Sequence, residues 1–287
     1  DEGEGNVVYD RSGNGNNGQI FGAVWTEGKY GKALSFDGVD DWVEFPENLI
    51  NDLMYSGKIT IELWFKTTNP GGLIGYQTDQ PGNIPNGWVP LIYILNDGKL
   101  KYGIWTGECN IITGPYVLDN RWHHAVYRLV YDRINDKMRL SAYLDGRLVG
   151  SFISSGPPWN NKDYSGFGIV YNQIGVVYDD GCWGGEGWSY FNGLIDDLRI
   201  YPYARTLEEI REDYNRGLSV KLGGGPEKIF QTKIFPQWKY RKPIFITGSS
   251  ENLTDYQVLI TLDTASLINA GKMNPDCSDI RFTDADD

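Results

Sequence analysis

Two stretches of this chain, VVYDRSGNGNNGQIFGAVWTEGKYGKALSFDGVDDWVEF at 7–45 and FNGLIDDLRIYPYARTLEEI at 191–210, read as the opening and closing strands of one β-sandwich. Between them lie apolar runs of strand length, each broken off by Gly, Asn, Asp or Pro, the residues that supply tight turns. The fold class predicted is therefore all-β.

The strands can be placed individually. In KALSFDGVDDWVEF at 32–45, Ala33, Ser35 and Asp37 interleave with Leu34 and Phe36, and after a turn containing Gly38 a strand begins again at Trp42. In KITIELWFKTT at 58–68, Ile59, Ile61, Leu63 and Phe65 alternate with Thr60, Glu62, Trp64 and Lys66, which predicts a strand inside the sandwich with Trp64 on its second face. LIYILNDGKLKYGIW at 91–105 is a hairpin about Asn96-Asp97-Gly98, and RLSAYLDGRLVGSF at 139–152 is another about Asp145-Gly146. Both turns use residues that tolerate the left-handed backbone. WHHAVYRLVYD at 122–132 supplies the strand before the second hairpin. Antiparallel pairs of this kind build two curved sheets, a jelly-roll sandwich.

Helix is scarce. The one candidate is TLEEIREDYNRG at 206–217, where Thr206 caps the start, Glu209 completes a capping box and Gly217 stops the helix. Its apolar residues Leu207, Ile210 and Tyr214 share one face. Residues 218–237 contain Gly223-Gly224-Gly225-Pro226, show no periodicity and read as a linker. From Trp238, KYRKPIFITGSS and TDYQVLITLDT alternate as two strands and DIRFTDADD begins a third at Asp279, so 238–287 reads as a second, incomplete small β domain. A β domain short of strands leaves backbone groups unpaired along an edge, which a neighbouring chain or a longer parent polypeptide would complete.

A net charge of −12 with no basic patch excludes nucleic acid as a partner, since phosphate binding needs clustered Lys and Arg. No run of 18 apolar residues occurs, so no membrane span is expected. The chain opens at Asp1, which fits either a removed secretion signal or an excised fragment. Of three cysteines, Cys109 and Cys182 fall in the first domain and are expected to pair, with Cys277 alone in the second; two separate buried thiols are the alternative. Asn252-Leu253-Thr254 permits glycosylation of an exported chain.

Over roughly residues 1–217 the chain resembles the laminin G-like, concanavalin A-like lectin family in its bacterial and archaeal extracellular branch. The pieces VVYDRSGNGNNGQIFGAVW, YGKALSFDGVDDWVEF, ITIELWFKT, RWHHAVY, AYLDGRLVG and FNGLIDDLRIYPYARTLEEI carry that resemblance, in order. WKYRKPIFIT, TDYQVLITLDT and SDIRFTDADD are similar to a small secreted β domain of unknown function that travels with such modules. The resemblance implies a concanavalin A-like jelly roll and a structural calcium ion near the chain ends. Asp10, Asn14, Asn16, Asp37, Asp40 and Asp196 offer hard oxygen ligands for it, Asp10 and Asp196 foremost, although Asp and Asn are also ordinary turn formers.

Concanavalin-like sandwiches also host glycosidases, whose two carboxylates sit on one strand. No Glu-x-Asp-x-x-Glu occurs here; Glu62 stands alone, and adjacent Asp196 and Asp197 point to opposite faces of a strand. His123 and His124 are adjacent and cannot share one metal, so a hydrogen-bonded sheet histidine is the expected role. There is no Gly-x-Ser-x-Gly elbow. No catalytic residue is expected.

Aromatic residues make 14% of the chain, with 10 Trp and 19 Tyr, a surplus that suggests rings used on surfaces as well as inside. GVVYDDGCWGGEGWSYFNG at 175–193 sets Tyr178, Trp183 and Trp188 among Asp179 and Glu186, and IPNGWVPLIYI adds Trp88 and Tyr93. Sugar faces stack on such rings while carboxylates take hydroxyls; packing across the sandwich is the other use of each ring. A Cys109–Cys182 disulfide would pin this loop over the face.

These features predict a non-catalytic extracellular or cell-surface adhesion module whose partner is a glycan or a cell-surface protein. One alternative is a structural subunit of a surface array or filament, in which homo-oligomer neighbours share strands through the C-terminal domain. Another is an accessory module of a larger secreted hydrolase.

Overall fold

The computed structural model describes residues 2–156 and 170–215. The linker at 218–237, the second domain at 238–287, Gly217, Asn252 and Cys277 lie outside the described residues. In chain order the elements are β1 (Val7–Val8), β2 (Gly18–Phe21), β3 (Val24–Glu27), β4 (Lys32–Asp37), β5 (Trp42–Phe45), α1 (Leu49–Ser56), β6 (Lys58–Thr67), β7 (Gly71–Gln77) and β8 (Trp88–Ile94). Then follow β9 (Lys99–Trp105), β10 (Cys109–Tyr116), β11 (His123–Asp132), β12 (Lys137–Leu144), β13 (Arg147–Ser155), β14 (Tyr171–Ile174), β15 (Val176–Asp179), β16 (Gly187–Tyr190), β17 (Asn192–Tyr201) and α2 (Leu207–Tyr214).

Two antiparallel sheets face each other. The first runs β1-β2-β5-β14-β7-β8-β9-β10, the second β13-β12-β11-β6-β17-β4-β3, and β15-β16 forms a separate hairpin. Ile59, Ile61, Leu63 and Phe65 of β6 turn inward and are fully buried with Phe36, Val43, Ile74 and Tyr127. The Tyr102 hydroxyl donates to the Tyr143 carbonyl at 2.6 Å, joining the two sheets through the core. The closing strand β17 pairs with β4 from Asn192↔Asp37 to Ile195↔Leu34, so the two ends of the sandwich do meet. Both anticipated hairpins are present, and at the second Asp145 (φ 50°) and Gly146 (φ 70°) are both left-handed, as a primed two-residue turn requires.

Three features depart from the sequence reading. The strands on either side of Gly38 belong to opposite sheets, because the 37–41 turn is a corner: the Asp41 carboxylate accepts the Asp37 N–H at 2.8 Å and sends β5 across. Helix α1 was not anticipated. Its Ile50 and Met54 are buried one turn apart, but its start is held from elsewhere in the chain: the Ile50 N–H donates to Asn172 Oδ1 at 3.2 Å. Asn48, just before it, is left-handed (φ 62°) and uses its own side chain to accept from Val170 N. No local motif announces such a cap.

The third departure is Glu62, which is not alone. It is 1% exposed, 3.2 Å from both His124 Nε2 and Arg205 Nε. Asp213 of α2 lies within hydrogen-bonding reach of it and pairs with Arg199 at 2.9 Å and with Arg205. Burial, and then the charge on Glu62, push the Asp213 pKa up against the two guanidinium groups. This network and the Trp64–Tyr214 ring stack (5.7 Å) fasten α2 over the second sheet's outer face, with Ile210 packed on Val126 and Tyr143. The capping box is formed: the Glu209 N–H donates to Thr206 Oγ1 at 3.2 Å, and the Thr206 N–H to Glu209 Oε2 at 2.7 Å.

Candidate functional site

The outer face of the first sheet carries polar residues where a two-sided buried sheet would carry aliphatic ones. Strand register aligns Gln19 with Glu44, Glu44 with Gln173, and Gln173 with Gly75. Directly opposed residues share a face, so these four form a row across β2, β5, β14 and β7. Beside that row Phe21 opposes Trp42, their rings stacked at 4.6 Å, and on its other side Tyr171 and Trp88 both oppose Gln77. The alternate residues Ile20, Val43, Ile174 and Ile74 point into the core.

The β15-β16 hairpin covers the adjoining part of the same face. It can lie flat there because β7 and β9 present glycines: a Cβ at Gly72 would strike Val177, and one at Gly103 would strike the Pro90 carbonyl and the Trp183 ring. Three further ties hold it down. Tyr93 donates its hydroxyl to the Trp183 carbonyl at 3.1 Å, Asp179 accepts the N–H groups of Gly181, Trp183 and Gly185, and Cys109–Cys182 closes as a disulfide onto β10. Burial raises the Tyr93 pKa far above the ordinary phenol value, with Asp179 and Asp97 adding to it, so this hydroxyl is a permanent donor.

Of the aromatic and acidic residues singled out in the sequence, Tyr93, Tyr178, Asp179 and Trp183 are buried; the last three build the hairpin and Tyr93 holds it from β8. Trp88 and Trp188 are half-buried and Glu186 is exposed. A ring chain links them, with Trp88–Tyr178 at 5.0 Å, Tyr178–Trp188 at 5.1 Å and Trp188–Tyr190 at 6.3 Å. The polar row is thus edged by Phe21 and Trp42 on one side and by Trp88 and the hairpin rings on the other.

The polar groups of this face are short of partners. Both amide atoms of Gln173, the Gln77 Nε2 and the indole nitrogens of Trp42, Trp88 and Trp188 are buried with no protein hydrogen bond. An unpaired buried polar atom costs about 1–3 kcal/mol, so a cluster of them on one face marks a place the fold leaves unsatisfied. Glu44 is held by Gln80 at 3.1 Å; burial raises its pKa against that bond, and the Glu47 charge adds to the rise. Sequence reading missed Trp42, Glu44, Gln77 and Gln173. The available signal was polar Asn172-Gln173 inside an otherwise apolar strand run.

The six candidate calcium ligands do not form one site. Asp10 is spent on its own turn, accepting the N–H groups of Ser12 and Asn16, and Asn14 bonds within that turn. Asp196 is 5% exposed and accepts the N–H groups of Lys29 and Tyr30, closing the turn between β3 and β4. Asp37 and Asp40 do come together, with Asp41: among the described residues these three carboxylates offer oxygens within 4.8 Å of one another. Burial, with the Asp37 and Asp40 charges behind it, raises the Asp41 pKa. The Asp40 charge also acts on Tyr190, so this corner adjoins the hairpin end of the aromatic chain.

Among solved structures, the chain is similar to a Trypanosoma rangeli sialidase in complex with 2,3-difluoro-KDN, at 17% identity and a TM-score of 0.51, over 74% of this chain and 31% of that one. The chain therefore spans about a third of the sialidase's length. It is also similar to the CBM40 of a Ruminococcus gnavus sialidase, at 13% identity, a TM-score of 0.43, and 67% and 98% of the two chains. A heptameric pentraxin from Limulus polyphemus matches at 18% identity, a TM-score of 0.38, and 63% and 80% of the chains. Residues 37–211, most of the sandwich just described, match the family model of the concanavalin A-like lectin/glucanases superfamily, and the chain belongs to that family.

Proposed function

We propose that this chain is an extracellular, non-catalytic glycan-binding module, and that the sugar lies on the outer face of the first sheet between Trp42 and the β15-β16 hairpin. The observation that carries this reading is the half-buried pair Gln19 and Glu44 flanked on one sheet face by the half-buried rings of Phe21, Trp42, Trp88 and Trp188. Sugar rings offer hydroxyls for such groups and C–H faces for the indoles. The disulfide favours an oxidising compartment, and no described helix is long and apolar enough to cross a membrane. The close carboxyl pair of Glu62 on β6 and Asp213 on α2 lies between that helix and the second sheet, bracketed by Arg199 and Arg205, which supports a fastening role over a hydrolytic one.

Glycan-array binding by the purified chain tests the proposal. Binding should fall at least tenfold in Trp88→Ala and in Trp188→Ala with near-ultraviolet dichroism retained; unchanged binding in both variants would refute the location. Calcium belongs to the same reading: the convergence of Asp37, Asp40 and Asp41 without an ion pair among the described residues supports a hard cation at this corner. Added calcium should raise the melting temperature of the wild-type chain and leave Asp40→Asn unmoved; equal shifts in both would remove the ion from this position.

A further inference from the structure

We infer that the glycan this face selects is uncharged, and that sialylated, uronic or sulfated glycans are excluded; the inference rests on the glycan-binding reading above. The reason lies in what the face is made of. The segments that carry the row and its rings, 18–22, 37–45, 75–88 and 171–191, contain Asp and Glu but neither Lys nor Arg, and Lys101, which opposes Tyr93 on the same sheet face, is paired with Asp97 at 2.8 Å. Glu44 stands in the middle of the polar row, and Asp37, Asp40 and Asp41 gather where the row meets the end of the hairpin.

Recognition of a carboxylate or sulfate on a largely buried face needs a cationic fork or a set of converging N–H donors, because desolvating the anion without them is prohibitive. Here the N–H groups of Gln77, Gln173 and the indoles are sealed from solvent, so an anion on the face would meet the Glu44 carboxylate instead. Glu44 is already disfavoured as an anion by its burial, and a second negative charge beside it would be disfavoured further. The groups left over suit a polyol. Gln19 and Glu44, both half-buried at the surface of the row, present an amide and a carboxylate, which matches the mixed donors and acceptors of neutral hydroxyls. The Phe21–Trp42 stack and the Trp88 and Trp188 rings supply apolar contact with no charge requirement.

Titration of the whole chain against paired oligosaccharides tests this. Gluco-, manno- and galacto-configured neutral oligomers would be compared with the same cores bearing sialic acid, a uronate or sulfate. The expected result is binding of a neutral member at least tenfold tighter than its anionic counterpart, with little dependence on salt. Glu44→Gln should narrow that gap, and Trp88→Ala should weaken the neutral ligand. Equal or tighter binding of the anionic counterpart that is still lost in Trp88→Ala would overturn the selectivity while leaving glycan binding at this face intact. Binding of neither class would overturn the glycan reading and the selectivity with it.

Discussion

His123 shows how one residue ties rim loops to a strand. Its Nδ1 lies 2.9 Å from Asp145 and its Nε2 3.1 Å from Asp119, so the imidazolium bridges two loops at one end of the second sheet. Burial pulls its pKa down, but the two carboxylates outweigh burial and hold it above the ordinary value. A raised histidine contributes stability in full below the unfolded value of about 6.5, and that contribution disappears as pH climbs through the folded pKa. Melting temperatures of wild type and His123→Gln should therefore differ most on the acidic side of that value and converge in mild alkali. A gap that stayed constant or widened with pH would contradict the assignment. At the same scale, the expectation of a hydrogen-bonded sheet histidine is met by both members of the pair, His124 through Glu62 and His123 through its two aspartates.

At the scale of elements, the hairpin over the first sheet organises the candidate site. Its own Val177, Tyr178 and Trp183 are buried against the sheet, and the Cys109–Cys182 link spans a sequence separation of 73 residues. The chain-entropy model assigns a loop of that length about 4 kcal/mol of stabilisation. Reduction, or Cys182→Ser, should lower the melting temperature and weaken glycan binding together, since the loop between β15 and β16 would lose its anchor on β10. Free thiols at Cys109 and Cys182 in the oxidised native chain, or no thermal effect of reductant, would refute the link. The elements also show where sequence was informative. Alternation in 58–67, the Asp-Gly turns and the Thr206–Glu209 box are local patterns, and each formed where it was read. Helix α1 and the β4–β5 corner were hidden because their determinants, Asn172 on α1 and Asp41 on the corner, act through space or through a side chain that looks like any turn residue.

For the whole molecule, the sandwich was legible because inward-facing aliphatics and turn residues repeat along the entire first domain. The site was legible only in part. The sequence marked a region rich in Trp and Tyr, but which rings would be buried depended on the flat glycine track of β7 and β9, and that track exists only once the strands are in register. The same register assembles Gln19, Glu44 and Gln173, residues drawn from three distant segments. Their shared row, edged by the aromatic rings of Phe21, Trp42, Trp88 and Trp188, is the basis for a binding role.

Amide hydrogen exchange of the chain with and without a saturating neutral oligosaccharide tests that role most directly. Protection should rise in 42–45, 171–174 and 187–190, the strands that carry Trp42, Glu44, Gln173 and Trp188. Protection confined to the opposite sheet, or no change anywhere at saturation, would contradict the account.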